Sequence, residues 1–158
     1  MATYNRTATG GGTAGHPANA AVPYVMTSPV WDTADGGTGG DVVQLIDVPA
    51  DTMVVAGCLE VLEARGNGQI TLDVGVTGGD VDCFVDGSAC AAGFTPFLEA
   101  AVGASGSNAR ILTSADTIDA LILDGGSTGE SALRFRIHVV LADVSKNPTE
   151  SATVSSGT

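Results

Sequence analysis

The stretch LRFRIHVVLADV, residues 133–144, decides the fold because its side chains alternate between apolar and polar. The alternation places one apolar set on the same side: Leu133, Phe135, Ile137, Val139 and Leu141. The opposite side receives Arg134, Arg136, His138 and Val140. Successive side chains of a β-strand point to opposite faces, so the pattern predicts a strand with one face in a core.

Similar short apolar or alternating stretches precede this one along the chain. They predict strands at residues 41–48, 52–64, 69–76, 81–86, 110–114 and 117–124. Glycine-rich turns such as RGNG (65–68) separate them, and PFLEAAVGA (96–104) comes nearest to a helix. Many short strands without a long helix predict an all-β fold, specifically an antiparallel β-sandwich of the jelly-roll kind.

The 158 residues predict one folded domain with an extension at each end. Residues 1–40 are an extended arm rich in Gly, Ala and Thr, residues 41–144 form the sandwich, and residues 145–158 are a polar Ser/Thr-rich tail. An arm of this composition is expected to be disordered when free in solution. Its larger apolar side chains suit anchoring on another surface and are predicted interface residues: Tyr24, Met26 and Trp31.

The charge of the chain excludes one class of partner and leaves another open. Eighteen acidic residues against six basic ones give a net charge of −12, which repels phosphate backbones and argues against nucleic-acid binding. The acidic surface either keeps the protein soluble or complements a basic partner. Three cysteines without CxxC spacing suit a reducing cytoplasm, and no apolar run predicts a membrane span or signal peptide.

An acidic stretch within ITLDVGVTGGDVDCFVDG (70–87) is the one candidate for a metal site. Its carboxylates are Asp80, Asp82 and Asp86. An EF-hand loop beginning at Asp80 would need an oxygen ligand where Phe84 stands and a Glu where Ala91 stands. Strand pleating would place the three aspartates on one solvated face, so we predict no bound metal and no cofactor.

Catalytic patterns do not emerge from the remaining residues. His16 and His138 are too few for a zinc site, and no GxSxG elbow or phosphate-binding glycine loop is present. One Trp and two Tyr provide little aromatic surface to hold a sugar. The sequence therefore does not predict an enzyme.

Five segments form a characteristic succession of strands and turns: IDVPADTMVV (46–55), LEVLEA (59–64), ITLDVGVTGGDVDCFVDG (70–87), TSADTIDALILDGG (113–126) and ALRFRIHVVLADVS (132–145). This succession resembles small virion structural proteins of tailed bacteriophages, among them the capsid decoration (cement) proteins. The likeness covers about residues 41–145 and consists of strands and turns, so no functional residue carries over.

The resemblance implies a homo-oligomer, expected to be a trimer, that is made in the host cytoplasm and sits on the capsid exterior. Its partner would be the major capsid protein, and it would stabilise contacts between capsomers. Arg134 and Arg136 either pair with carboxylates of a neighbouring subunit or form a solvated face. The alternatives are another phage part (tail, head fibre or head–tail joining protein) and a calcium- or carbohydrate-binding β module.

Overall fold

A computed structural model of the chain describes residues 3–5, 23–35, 39–64, 70–77, 79–97, 110–123 and 133–144. Within these ranges there is no α-helix, and a 3₁₀ turn at Thr33–Asp35 follows the third strand. The strands are β1 Thr3–Asn5, β2 Tyr24–Thr27, β3 Trp31–Asp32, β4 Val42–Val48, β5 Thr52–Glu63, β6 Leu72–Val76, β7 Val85–Ser88, β8 Gly93–Pro96, β9 Arg110–Leu112, β10 Asp116–Ile122 and β11 Arg134–Asp143.

The strands form two sheets. Sheet A has the order β1-β4-β10-β6-β7, and sheet B has the order β2-β11-β5-β8. In sheet B, β3 also pairs with β11 and β9 also pairs with β5. Every pair is antiparallel except β1 with β4, which is parallel. The predicted antiparallel β-sandwich is confirmed, and its chain crosses between the sheets rather than running up and down in hairpins.

Strand β11 is the centre of sheet B. It pairs with β5 from Arg134–Glu63 to Asp143–Thr52 on one side, and with β2 and β3 on the other. Its inward side chains, predicted from the alternation, are all 0% exposed: Leu133, Phe135, Ile137, Val139 and Leu141. The prediction drawn from this stretch is therefore confirmed in both its strand and its buried face.

The core fills the space between the two sheets with small branched side chains. Sheet A contributes Val43, Ile46, Leu72, Val74, Val76, Ile118, Ala120 and Ile122, all at most 3% exposed. Fully burying each of the larger ones contributes about 1.5–3 kcal/mol relative to leaving it in water. β-Branched residues pack well on a pleated surface, which explains how a core with few aromatic residues closes.

The segment from β2 to the 3₁₀ turn belongs to sheet B although it falls within the predicted arm. Pro29 interrupts it and has no N–H to donate. Ser28 completes the pairing there, because its N–H donates to the Ile137 carbonyl and its Oγ accepts from the Ile137 N–H, both at 2.9 Å. The remainder of the predicted arm, apart from residues 3–5, 23 and 39–40, lies outside the described residues, as does the tail 145–158.

The connection from β6 to β7 differs from the prediction. A strand was expected at 81–86, but residues 79–84 form a loop and β7 begins at Val85. The loop folds back on sheet A, since the Val76 N–H donates to the Asp80 carbonyl at 3.0 Å and the Phe84 N–H to the Val74 carbonyl at 2.8 Å. The stretch 96–104 is no helix where it is described, because Pro96 ends β8; residues 98–104 lie outside the described set.

Candidate functional site

A polar network crosses the outer face of sheet B. Glu60 on β5 lies opposite Arg136 on β11, and His138 follows on the same face two residues later. Arg136 Nε donates to Glu60 Oε2, and His138 Nε2 lies 2.8 Å from the same oxygen. His138 Nδ1 lies 2.9 Å from Thr27 Oγ1 on β2. One carboxylate thus joins its own strand to β11, and the histidine extends the connection to β2.

The hydrogen bonds of this network stabilise its charged groups and do not create a reactive nucleophile. Hydrogen bonds from Arg136 and His138 hold the pKa of Glu60 below its ordinary value. Burial, with the nearby Glu60 charge, raises the pKa of the Cys58 thiol. A thiol must lose its proton to act as a nucleophile, and both ring nitrogens of His138 are engaged by Glu60 and Thr27. The network therefore connects strands and does not activate Cys58.

The predicted interface residues Arg134 and Arg136 both lie on this outer face and both pair within the chain. Arg134 Nε lies 3.7 Å from Asp32, and its Nη1 lies 4.0 Å from Glu63. The Arg134 side chain is 47% exposed, so these contacts are loose and screened by solvent. The pairing of Arg134 and Arg136 with carboxylates of a neighbouring subunit stays a prediction.

The three predicted arm anchors pack on this chain's own core. Trp31 is 1% exposed and lies opposite Phe135, so its assignment as an anchor on another surface is corrected: in this fold its ring is a core residue. Tyr24 and Met26 are half-buried against the core along β2, and burial raises the pKa of Tyr24. The residue between them, Val25, points outward and is 67% exposed.

The acidic candidates do not share one strand face, which corrects the prediction. Asp80 and Asp82 lie in the loop before β7, and of the three only Asp86 is in a strand. A hydrogen bond between the Asp80 and Asp82 carboxyl groups is the main cause of a raised pKa at Asp82. Across the described ranges, no group of three or more His, Cys, Asp or Glu side chains is placed to hold a metal ion.

Two buried carboxylates on the outer face of sheet A were not predicted. Asp73 is 5% exposed, and its Oδ1 accepts a 2.7 Å hydrogen bond from the Gly87 N–H. Asp119 is 4% exposed and neither of its oxygens has a well-formed hydrogen bond, although the Thr117 hydroxyl and Thr77 backbone lie near. Burial raises the pKa of Asp119 to about 7.

Gly75 explains how the loop 79–84 comes to lie against sheet A beside Asp119. It lies opposite Asp119 in the β6–β10 pair, with its missing side chain directed outward. A Cβ at this position would clash with the backbone of Asp80 and Val81 in the loop 79–84. The loop therefore lies against sheet A only because residue 75 is glycine, and an outward glycine within a strand is the sequence signal of such a close approach.

Large exposed apolar side chains are unevenly distributed over the described residues. Six of the eight belong to sheet B or its connections: Val25, Val30, Val55, Leu62, Phe94 and Ile111. The other two, Val81 and Leu123, lie in the loop 79–84 and just after β10. Clustered apolar exposure of this kind marks surfaces that contact other molecules. The described part of the chain holds no helix with the length and apolar character that a membrane span requires.

Comparison with known proteins identifies the class of fold. No protein-family model matches the chain, and no curated protein matches it by sequence. Solved structures do: the fold is similar to that of a chain in the capsid of Ralstonia phage GP4, with a TM-score of 0.66 and 18% identity over 89% of this chain and 97% of that chain.

Two further structures share the fold. One is the acidic stable capsid structure of Helicobacter pylori bacteriophage KHP30, with a TM-score of 0.57 and 14% identity over 78% of this chain and 90% of that chain. The other is the capsid asymmetric unit of cyanophage Pam1, with a TM-score of 0.57 and 16% identity over 87% of this chain and 97% of that chain. The β-sandwich of this chain is thus a fold that occurs in phage capsid structures.

Proposed function

We propose that this chain is a structural protein of a bacteriophage virion, acting as a capsid decoration or cement protein. It binds the capsid exterior as a homo-oligomer, expected to be a trimer, and contacts the major capsid protein at the seams between capsomers. The observation that supports this most is the fold similarity to a chain of the Ralstonia phage GP4 capsid, which extends over 97% of that chain. Because the similarity covers nearly all of that phage chain, it involves the complete fold and not one shared subdomain.

The chemistry of the described residues supports a structural role. The polar groups that meet on sheet B join β2, β11 and β5, and burial raises the pKa of the Cys58 thiol beside them. On sheet A, Asp73 and Asp119 are buried, and the loop 79–84 lies against the sheet at Gly75, opposite Asp119. A protein of this kind acts through the surfaces it presents.

The proposed mechanism is stabilisation of the assembled state by binding. A protein that binds two adjacent capsomers but not the separated ones shifts the equilibrium toward the intact capsid. Linking several binding surfaces in one oligomer makes each later contact effectively intramolecular, which strengthens attachment without a new kind of contact. The acidic net charge of −12 would direct such an oligomer to basic regions of a capsid.

The copy number of the chain in purified virions tests the proposal. Quantitative mass spectrometry should find it in hundreds of copies, the number that a decoration role over a whole capsid requires. Particles lacking the chain should disrupt at a lower temperature and recover when purified protein is added. A copy number of about a dozen or fewer would instead indicate a joining or tail part, and absence from virions would refute a structural role.

A deletion in the N-terminal segment adds a more specific test of capsid binding. Residues 24–33 complete sheet B, so a deletion must stop before β2 to keep that sheet intact. Deleting residues 1–22 removes β1 from its parallel pairing with β4 at the edge of sheet A. We expect the shortened chain to fold, because Trp31 and its pairing with β11 are retained, but to lose occupancy on capsids. Full occupancy by the shortened chain would show that the arm is not used for capsid binding.

A further inference from the structure

The outer side of sheet B presents exposed apolar side chains at both of its margins. We call this surface the sheet B face and define it by Val25, Val55, Phe94 and Ile111 together with the central Glu60 and Arg136. Val25 and Phe94 are each 67% exposed, Ile111 is 52% exposed and Val55 is 41% exposed. Phe94 and Ile111 lie on β8 and β9, which flank β5, whereas Val25 lies on β2 beyond β11.

The charges of the sheet B face are already paired. Among the side chains that the structure describes, both arginines lie on it. Arg136 binds Glu60, and Arg134 lies within 4.0 Å of carboxylates of Asp32 and Glu63. When another molecule covers the face, each charged group leaves water together with the group it pairs with. This avoids the large cost of burying an unpaired charge.

The net charge of the chain indicates which molecule fits this face. Two copies that each carry −12 repel one another wherever acidic surfaces meet. The sheet B face combines cations with anions and so is the described surface on which that repulsion is smallest. A basic partner would be attracted instead to the outer side of sheet A and the loop beside it, which carry the exposed carboxylates of Asp47, Asp80 and Asp86.

From these observations we propose that the sheet B face is the surface through which copies of this chain contact one another. Phe94 and Ile111, at the β8 and β9 margin of one copy, pack on Val25 at the β2 margin of the next, a head-to-tail contact that a ring of three copies can close. The loosely held Arg134 is free to exchange its 3.7 Å and 4.0 Å contacts for carboxylates of the neighbouring copy. The inference rests on the homo-oligomeric part of the proposed function and adds the surface that mediates it.

The oligomeric state of the full chain tests this directly by sedimentation velocity over a range of concentrations. Phe94→Glu and Ile111→Glu each place a carboxylate where the copies would meet. We expect both variants, and the double variant most completely, to sediment as single chains while the unaltered protein sediments as an oligomer. Ile111 is 52% exposed and lies opposite Met53, so Ile111→Glu should keep a melting temperature close to that of the unaltered protein. Phe94 lies opposite Glu60, so Phe94→Glu should fold but melt at a slightly lower temperature, because it sets two carboxylates side by side.

A matched control comes from the other sheet. Leu123 follows β10, is 45% exposed and lies away from the sheet B face, so Leu123→Glu adds the same charge at a comparable apolar site. This variant should remain oligomeric. If Leu123→Glu dissociates the oligomer as strongly as Phe94→Glu, the effect comes from added charge alone and the assignment of the surface is overturned.

The native cysteines supply a second readout that does not depend on mass. Cys58 lies on the sheet B face opposite His138 and is partly exposed, whereas Cys83 and Cys90 are buried at 8% and 5% exposure. A maleimide reagent at mildly alkaline pH should label Cys58 several-fold more slowly in the oligomer than in the Phe94→Glu variant. Cys58→Ser identifies the labelled thiol, and equal labelling rates would contradict the proposal.

Failure of this inference is distinguishable from failure of the proposed function. If the Phe94→Glu, Ile111→Glu double variant keeps the mass of the unaltered oligomer, copies meet on a different surface and the inference is overturned. If the unaltered chain is monomeric at every concentration, the inference and the homo-oligomeric part of the proposed function fall together. The virion role itself is decided by the copy number in particles, which neither result changes.

Discussion

On the outer face of sheet A the carboxyl group of Asp119 is buried beside the loop 79–84, whereas on the outer face of sheet B the carboxylate of Glu60 binds Arg136 and His138. The first group has no well-formed hydrogen bond, and the second accepts two. Burial accordingly raises the pKa of Asp119 to about 7, and the hydrogen bonds lower the pKa of Glu60. Two carboxyl groups on the outer faces of the two sheets therefore have pKa values shifted in opposite directions.

The two faces consequently respond to pH in opposite directions. Below about pH 4, Asp119 is protonated in both the folded and unfolded chains. Between pH 4 and about 7 the unfolded chain releases that proton while the folded chain retains it, so stability falls as the pH rises. Glu60 has a lowered pKa, so its contribution is present above the ordinary carboxyl range and is lost as the pH falls through the folded value.

The largest effect should come from removing the close contact that covers sheet A. Gly75→Ala directs a methyl group into the backbone of Asp80 and Val81, which forces the loop 79–84 away from the sheet. Overpacking of this kind costs about 1–3 kcal/mol of unfolding free energy. Urea unfolding should measure the loss, and the fall in stability between pH 4 and 7 should flatten because Asp119 becomes solvated.

The double variant Gly75→Ala, Asp119→Asn provides the check on that explanation. If the loop is what buries Asp119, replacing Asp119 should matter much less once the loop has been displaced, so the two changes should not add. Strict additivity would indicate that the acidity of Asp119 has a cause other than the loop 79–84.

An intermediate effect should come from Asp119→Asn in the otherwise unaltered chain. Above pH 7 the variant no longer buries a charge, so it should be more stable than the parent at pH 8, with the gain decreasing as the pH falls and vanishing near pH 4. Asp47→Asn is the matched control, because Asp47 is an exposed carboxylate on the neighbouring strand β4. A pH-independent gain at Asp119, or an equal gain at Asp47, would contradict burial as the cause.

The smallest of the three effects should come from sheet B. Glu60→Gln removes the charge that Arg136 and His138 share, so we expect a modest loss of stability at pH 7 that disappears at acidic pH. Glu63→Gln on the same strand should change little, since Glu63 is 57% exposed and its contact with Arg134 is 4.0 Å. Melting curves at pH 7 and below pH 3 compare the variants, and equal losses at both values would refute the pH dependence.

Local pattern in the sequence predicted the strands of the sandwich well. The alternation of β11 is long enough for its period to be unambiguous, and β4, β5, β6 and β10 begin and end within a few residues of the predicted positions. The prediction was wrong at residues 81–86, where Cys83 and Phe84 are both buried although they are adjacent. Their burial comes from the loop folding onto sheet A, an effect of tertiary contact that strand periodicity does not contain.

The candidate site was less predictable because it depends on pairing between distant segments. His138 and the two arginines were correctly placed on an outward face, but the residue that joins them, Glu60, is 76 positions from Arg136. Only the register of β5 against β11 brings them together. The composition of residues 1–40 likewise predicted an arm, and the pairing that draws Trp31 into the core arises from β11 at the other end of the chain.

The central place of β11 also governs when the protein can fold during its synthesis. This strand is the common partner of β2, β3 and β5, and some of its hydrogen bonds join residues more than 100 positions apart, such as Thr27 with His138. Contacts so distant in sequence slow folding, and none of them can form before β11 leaves the ribosome. A nascent chain that ends short of residue 134 lacks the strand that joins β2 and β3 to β5, so the surface proposed for self-association is complete only on chains translated past that point.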